Sequence, residues 1–134
     1  RRDKDLSCMP NGLKVFFDGG CRPNPGMMEI AVVAGGQTYI RQDLGYGTSM
    51  DAEWLALIEA LRLARKLELA DFVLLGDALA VIGPASGAIA CRGAAALHLR
   101  TFQHLSTSGA APKIRWVKRS QNLAGIALGK LHAR

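Results

Sequence analysis

The last 57 residues of this sequence contain no acidic residues. All eleven Asp and Glu residues lie at or before Asp77, while residues 78–134 contain eight Lys and Arg residues and carry a formal charge of +8. Residues 1–77 contain nine bases and carry a formal charge of −2. This asymmetry favours a polyanionic partner; the alternative is a basic surface that only aids solubility.

Cysteines and long apolar runs are also scarce. Cys8, Cys21 and Cys91 form an odd set without the close spacing of a zinc site, which argues against a disulfide framework or a structural metal. The first residues lack the apolar core of a secretory signal, and the Ala-rich stretch 78–97 is interrupted by proline, glycine and arginine. We therefore expect no membrane span and a reducing, cytoplasmic location.

Length and hydrophobic content predict a single domain. The chain has 134 residues, of which 49% are hydrophobic, and can bury a core of its own. Residues 1–12 are polar, end in Pro-Asn-Gly and are predicted to be a flexible lead-in. We expect residues 13–134 to form the domain and the protein to be a monomer.

Apolar runs predict three strands at the start of this domain. They cover residues 13–17, 29–34 and 38–44, and Gly35-Gly36 lies between the second and third as a hairpin turn. Because each run follows the last through a short connection, the three strands are predicted to form an antiparallel meander.

Helical periodicity appears next. Residues 50–66 show one apolar face, with Thr48 or Ser49 as the N-cap. A fully apolar strand over 72–75 follows this helix, and a helical crossover makes the strand parallel to the first one. The remaining chain predicts a short helix over 78–82 stopped by Gly83-Pro84, a helix over 94–105, a strand over 113–117 and a helix over 123–132.

Three carboxylates are placed where these elements can bring them together. Asp18 and Asp77 each end an apolar run, and Glu53 lies near the start of the long helix. Oxygen ligands of this kind suit hard divalent cations such as Mg²⁺. Taken singly, each acid has a structural alternative, since Asp caps turns at strand ends and Glu in a first turn complements the helix dipole.

The order of the motifs resembles the ribonuclease H family. The match spans about 120 residues from Leu13 onward, with the separations and element order of that family. The matching motifs are Asp18-Gly19-Gly20 followed by Asn24-Pro25-Gly26, Thr48 with Ala52-Glu53, Gly76-Asp77, and Trp116-Val117 with Arg119 and Asn122.

This resemblance implies an α/β protein with the ribonuclease H-like fold. The fold is a five-stranded mixed sheet, with a three-stranded antiparallel meander plus two parallel strands, flanked by helices. It also implies a metal-dependent endonuclease that hydrolyses the RNA strand of RNA/DNA hybrids with up to two Mg²⁺ or Mn²⁺ ions. The implied catalytic and metal-binding residues are Asp18, Glu53 and Asp77, and the implied nucleic-acid contacts are Gly19, Gly20, Asn24, Thr48, Lys118, Arg119 and Asn122.

One family residue is missing. The family has a fourth acid four residues after the Asn that matches Asn122, and Ile126 occupies this position. Isoleucine cannot bind a metal ion, and residues 125–129 read instead as a packed apolar face. Nothing after Asp77 is acidic, so the second ion lacks a ligand; His132, in the same helix, is interpreted as a surface histidine.

Two hypotheses follow. The first is a ribonuclease H whose activity is reduced by the loss of this ligand. The second is a domain that has kept the fold and lost turnover, and that binds nucleic acid or another partner. Met50 and Ala78, which replace polar residues common in the family, are consistent with the second hypothesis.

Overall fold

The structure is a computed structural model that describes residues 12–109 and 111–132. The predicted lead-in, residues 1–12, lies outside this part of the chain except for Gly12. The described strands are β1 (Leu13–Cys21), β2 (Gly26–Ala34), β3 (Gln37–Arg41), β4 (Tyr46–Gly47), β5 (Phe72–Gly76) and β6 (Lys113–Trp116). The described helices are α1 (Ser49–Lys66), α2 (Leu79–Ala85), α3 (Ala95–Ser106) and α4 (Leu123–Leu131).

The sheet has the predicted mixed topology. Its main path runs β3-β2-β1-β5-β6, with antiparallel pairing among the first three strands and parallel pairing of β5 with β1 and of β6 with β5. The short strand β4 pairs with the start of β2 and adds a sixth strand that the sequence did not predict. With two residues, β4 is too short to show a periodic pattern.

The hairpin between β2 and β3 follows the prediction. Gly35 and Gly36 connect the two strands with φ values of 58° and 79°. Two successive residues with positive φ form a turn whose twist matches that of the strands, and glycine adopts this conformation without steric cost.

The first strand is longer than its apolar run. β1 continues past Asp18 to Cys21 because its last residues pair with Met28, Glu29 and Ile30 of β2. Asp18 therefore lies within a strand, and the expectation that it ends one is wrong. Only residues 22–25 form the connection to β2, since the backbone of the Gly19-Gly20 pair remains in the ladder.

Helix α2 also differs from its prediction. It runs through Gly83 and Pro84 to Ala85, whereas the sequence predicted a stop at residue 82. Pro84 is buried, and the N–H of Ser86 donates to the carbonyl of Ile82, which continues the helical path beyond the proline. Burial of Pro84 in the interior outweighs the tendency of proline to end a helix.

The helices cover both faces of the sheet. α1 packs on one face in the main core, with Trp54, Leu57 and Leu61 fully buried. On the other face, Ala124 and Leu128 of α4 pack against β2. In the described ranges, no helix is both long enough and apolar enough to cross a membrane.

Ile126 does not lie on this packed face. Its side chain is 42% exposed, so the prediction that it belongs to an apolar buried surface is wrong. Two residues after Ala124, it lies about 200° further around the helix, away from the residues that contact the sheet.

Candidate active site

The three predicted acids converge in space. One carboxylate oxygen from each of Asp18, Glu53 and Asp77 lies within 4.8 Å of the other two. β1 carries the first acid, the second turn of α1 carries the second, and the third follows directly after β5. β1 and β5 are adjacent and parallel, so both bring their acids to the same edge of the sheet.

Gly19 allows α1 to approach this closely. A Cβ atom at Gly19 would overlap the carbonyl oxygen of Ala52 in α1. The backbone N–H of Gly19 donates to Oε1 of Glu53 over 3.1 Å, which fixes that carboxyl group beside Asp18. The Gly in the Asp-Gly-Gly motif thus has a packing role that brings two of the acids together.

Asn122 holds the third acid. Its amide nitrogen donates to Oδ2 of Asp77 over 2.8 Å and to the carbonyl of Phe17 over 3.0 Å. Its Oδ1 accepts from the N–H of Ala124 over 3.1 Å and caps α4. Asn122 has no exposed surface, so the predicted nucleic-acid contact is corrected to a positioning role. The signal was available in sequence, because Asn is a preferred N-cap before an apolar helix.

The acids destabilise one another when all are ionised. Burial raises the pKa of Glu53 to about 9, and the charges of Asp18 and Asp77 add to the rise. Burial and the charge of Asp77 raise the pKa of Asp18 to about 6, while Arg119 opposes the rise. A neutral Glu53 carboxyl group accordingly shares a hydrogen bond with Asp18.

A divalent cation fits this donor set. Three partly buried carboxylates offer the oxygen ligands that Mg²⁺ and Mn²⁺ prefer, and a cation would replace the protons that now relieve their repulsion. Asp18 and Glu53 line a cavity of about 490 Å³ that is open to solvent on one side. Arg119 also lines this cavity. Its side chain is 87% exposed, and its guanidinium lies 3.8 Å from Oδ1 of Asp77.

The other predicted contacts have mixed surroundings. Asn24 bonds the hydroxyl of Ser49 over 2.9 Å and accepts from its N–H over 3.0 Å, so it attaches the β1–β2 connection to α1. Thr48 forms a capping box with Asp51 at the start of α1. Gly20 has open space around it. Lys118 and Arg119 are both exposed. Contact of these predicted residues with nucleic acid stays a prediction.

Helix α4 brings no acid to the cavity. It contributes Gly125 and Gly129, and a Cβ atom at Gly125 would lie 3.3 Å from Oδ2 of Asp18. Ile126 is the next residue and is 42% exposed. The cavity beside Asp18 is therefore bordered by two glycines of α4, the helix in which the resemblance implied a fourth acid.

Sequence reasoning missed one acid in the same cavity. Glu29 of β2 is only 9% exposed and lines the cavity together with Asp18. Its Oε2 lies 2.6 Å from Nε2 of His132, the residue interpreted from sequence as a surface histidine, whose side chain is 30% exposed. The available signal was a single acid inside the otherwise apolar β2.

Comparisons with known proteins agree with this architecture. A family model described as reverse transcriptase-like matches residues 29–132. Ribonuclease H1 from Halobacterium salinarum NRC-1 superposes with a TM-score of 0.78 at 28% identity, covering 87% of this chain and 92% of that one. No match was found among curated proteins.

Two further solved structures share the fold. The N-terminal ribonuclease H domain of a Mycobacterium tuberculosis protein, solved as a fusion with maltose-binding protein, has a TM-score of 0.74 at 24% identity over 90% of this chain and 98% of that chain. LC11 ribonuclease H1, isolated from compost by a metagenomic approach and solved in complex with an RNA/DNA hybrid, has a TM-score of 0.75 at 21% identity over 90% and 99%.

Proposed function

The chain belongs to the ribonuclease H family, and on this basis we propose that it is a metal-dependent endonuclease that hydrolyses the RNA strand of RNA/DNA hybrids. The observation that carries the proposal is the convergence of Asp18, Glu53 and Asp77 within 4.8 Å. The hybrid bound by LC11 ribonuclease H1, which shares the fold, supports the substrate class.

The three acids would hold Mg²⁺ or Mn²⁺. A bound divalent cation supplies charge that polarises a phosphate oxygen and makes a bound water more acidic. The protein's own part is to keep the carboxylates in place. Gly19 donates to Glu53, and Asn122 donates to Asp77, so two of the three acids are oriented before any ligand arrives.

The basic half of the chain would position the nucleic acid. Lys118 and Arg119 lie in the connection between β6 and α4, and Arg119 lines the same cavity as Asp18 and Glu53. Their exposed positive charges would attract the phosphates that flank the scissile bond. Arg119 lies 3.8 Å from Asp77 although the two residues are far apart in sequence, which supports this role for its charge.

Reduced turnover is part of the proposal. α4 places Gly125 rather than an acid next to Asp18, and Ile126 offers no ligand. The same observation favours a second candidate function, a hybrid-binding domain without turnover. The two differ in one measurable property, because only the enzyme cleaves the hybrid when the divalent cation is present.

A labelled hybrid tests the proposal. Wild type and Asp18→Asn are incubated with an RNA/DNA hybrid in Mg²⁺ or Mn²⁺, with Asp43→Asn as the matched control. Asp43 is an exposed acid with φ of 57°, a backbone conformation that Asn also tolerates. We expect wild type and the control to cleave the RNA strand and Asp18→Asn to lose this activity. Equal cleavage by all three proteins would overturn the proposal, and binding without cleavage would favour the second candidate.

A further inference from the structure

Glu29 is a buried acid that lines the same cavity as Asp18 and Glu53. It is the only charged residue in β2, whose other residues are apolar. Removing a carboxylate from water costs free energy unless it is well partnered, so an apolar residue would be the simpler choice for this strand. The burial of Glu29 therefore points to a role in the cavity that it shares with Asp18.

The register of the sheet places Glu29 beside Asp18. Asp18 pairs with Ala31, and Gly20 pairs with Glu29. Because side chains alternate along a strand, all these residues point to the same face of the sheet, and Asp18 and Glu29 are diagonal neighbours with backbones about 7–8 Å apart.

Two glycines keep the space between these acids open. Gly125 and Gly129 are one helical turn apart on α4 and line the cavity. No atom lies within 4 Å of a Cβ built at Gly129. Leu128 is the third residue of α4 that lines the cavity, and at the two glycines the helix leaves room for water beside Asp18 and Glu29.

His132 and Gln42 fix the Glu29 carboxylate. Nε2 of His132 lies 2.6 Å from Oε2, and the amide nitrogen of Gln42 lies 3.3 Å from Oε1. Each carboxylate oxygen can accept two hydrogen bonds, so each oxygen of Glu29 can accept one more, from a group in the cavity. Around metal ions, hydrogen bonds from neighbouring groups orient the carboxylates that take part in the site.

We propose that Glu29, positioned by His132, serves as the fourth acid of this site and holds the water shell of the cation bound beside Asp18. This inference rests on the proposed function, since it needs a cation in the three-acid cluster. Glu29 is not part of the group of acids whose oxygens lie within 4.8 Å of one another, so it acts through water. Mg²⁺ usually keeps several of its waters, and an acid in this position can accept hydrogen bonds from them.

This role would offset the missing acid of α4. In this chain the negative charge would come from β2, and His132 at the C-terminal end of α4 would orient it. The two features would then be linked: α4 has Ile126 where the resemblance implies an acid, and β2 supplies Glu29 to the same cavity.

Metal binding tests the inference with a readout other than activity. Mn²⁺ and Mg²⁺ are titrated by calorimetry into wild type, Glu29→Gln and the matched control Glu59→Gln, an acid of α1 that pairs with Arg41 away from the cavity. We expect Glu29→Gln to weaken cation affinity by about 10-fold or more and the control to leave it unchanged. In hybrid cleavage, Glu29→Gln is expected to raise the Mg²⁺ concentration needed for half-maximal rate while KM for the hybrid stays the same.

Variants of His132 keep the inference testable if Glu29→Gln does not fold. His132→Ala removes the group that orients Glu29, whereas His132→Gln retains a hydrogen-bond donor, so affinity is expected to fall more in the first. Unchanged cation affinity in Glu29→Gln and in His132→Ala, with normal binding by wild type, would overturn this inference and leave the proposed function standing. Absence of cation binding by wild type would overturn both.

Discussion

The backbone N–H of Gly19 donates to Oε1 of Glu53, and this bond joins β1 to α1 at the place where two acids meet. The contact exists because Gly19 has no side chain: a methyl group there would overlap the carbonyl oxygen of Ala52. The geometry of the candidate metal site therefore depends on close packing between a strand and a helix as much as on the acids.

Substitution of Gly19 by alanine should destabilise the protein and weaken cation binding. The new methyl group must displace α1, and overpacking of this kind costs about 1–3 kcal/mol. Gly20→Ala is the matched control, because no atom lies within 4 Å of a Cβ atom at Gly20. Urea unfolding of both variants measures the difference; equal stabilities would show that α1 does not pack against β1 in this way.

The metal-free protein should lose stability as the pH rises. Burial and the neighbouring acids raise the pKa of Glu53 from its ordinary value of 4.5 to about 9, so the native state holds a proton that the unfolded state releases. Between these two values the unfolding free energy falls with increasing pH, because the native state binds more protons than the unfolded state. Asp18 contributes in the same direction up to about pH 6.

Glu53→Gln should remove the contribution of position 53 to this pH dependence. Without a titrating group at position 53, the variant is expected to exceed the wild type in thermal stability near about pH 8 in chelator, whereas wild type alone should gain strongly from added Mn²⁺. Melting curves with and without Mn²⁺ provide the measurement. A wild type whose melting temperature rises between about pH 5 and about pH 9 in chelator would contradict the account.

Placing an acid at position 126 should increase hybrid cleavage. Ile126→Asp places an acid where the resemblance implies the family's fourth acid. We expect the cleavage rate to rise by about 10-fold if the cation limits the rate. Since Ile126 is 42% exposed and lies in the first turns of α4, the stability cost should stay below about 1 kcal/mol.

Leu123→Asp is the matched control for this substitution. Leu123 is 46% exposed and begins the same helix, so it receives the same chemical change at a similar exposure. If Ile126→Asp and the control give the same cleavage rate and the same stabilisation by Mn²⁺, position 126 does not supply a ligand in this chain.

Hybrid binding should weaken with salt. Neutralising Lys118 and Arg119 together is expected to lower affinity and to reduce the slope of log affinity against log salt by about 2, because each phosphate contact releases about one counterion. The control pair is Arg62 and Lys66, exposed bases near the end of α1. Fluorescence anisotropy in about 50 mM and about 300 mM salt tests this; equal affinities at both concentrations would exclude a phosphate-binding basic surface.

The sequence predicted the order of the main elements and the three acids because both have local signals. Apolar runs and one amphipathic helix marked β1, β5 and α1, and Asp18, Glu53 and Asp77 followed from their places next to those elements. The ends of a strand were less predictable, because they depend on the strand that it pairs with. β1 extends to Cys21 because its last residues pair with β2.

Contacts between distant parts of the chain had no local signal. Asn122 is buried because it bonds Phe17 and Asp77, and Glu29 meets His132 across 103 positions of sequence. The exposure of Ile126 likewise depends on which side of α4 faces the sheet, which an apolar helix of nine residues does not reveal by its composition. These are the residues for which the structure changed the interpretation.

Strand-specific cleavage of an RNA/DNA hybrid tests the central claim most directly. With the two strands carrying different labels, wild type in Mg²⁺ or Mn²⁺ should cut only the RNA strand, stop when the cation is chelated and resume when it is returned. Asp18→Asn should fold, bind the hybrid and leave the RNA intact under the same conditions. Cleavage that persists in chelator, or that is as fast in Asp18→Asn as in wild type, would contradict the assignment of the three carboxylates as the cation-binding active site.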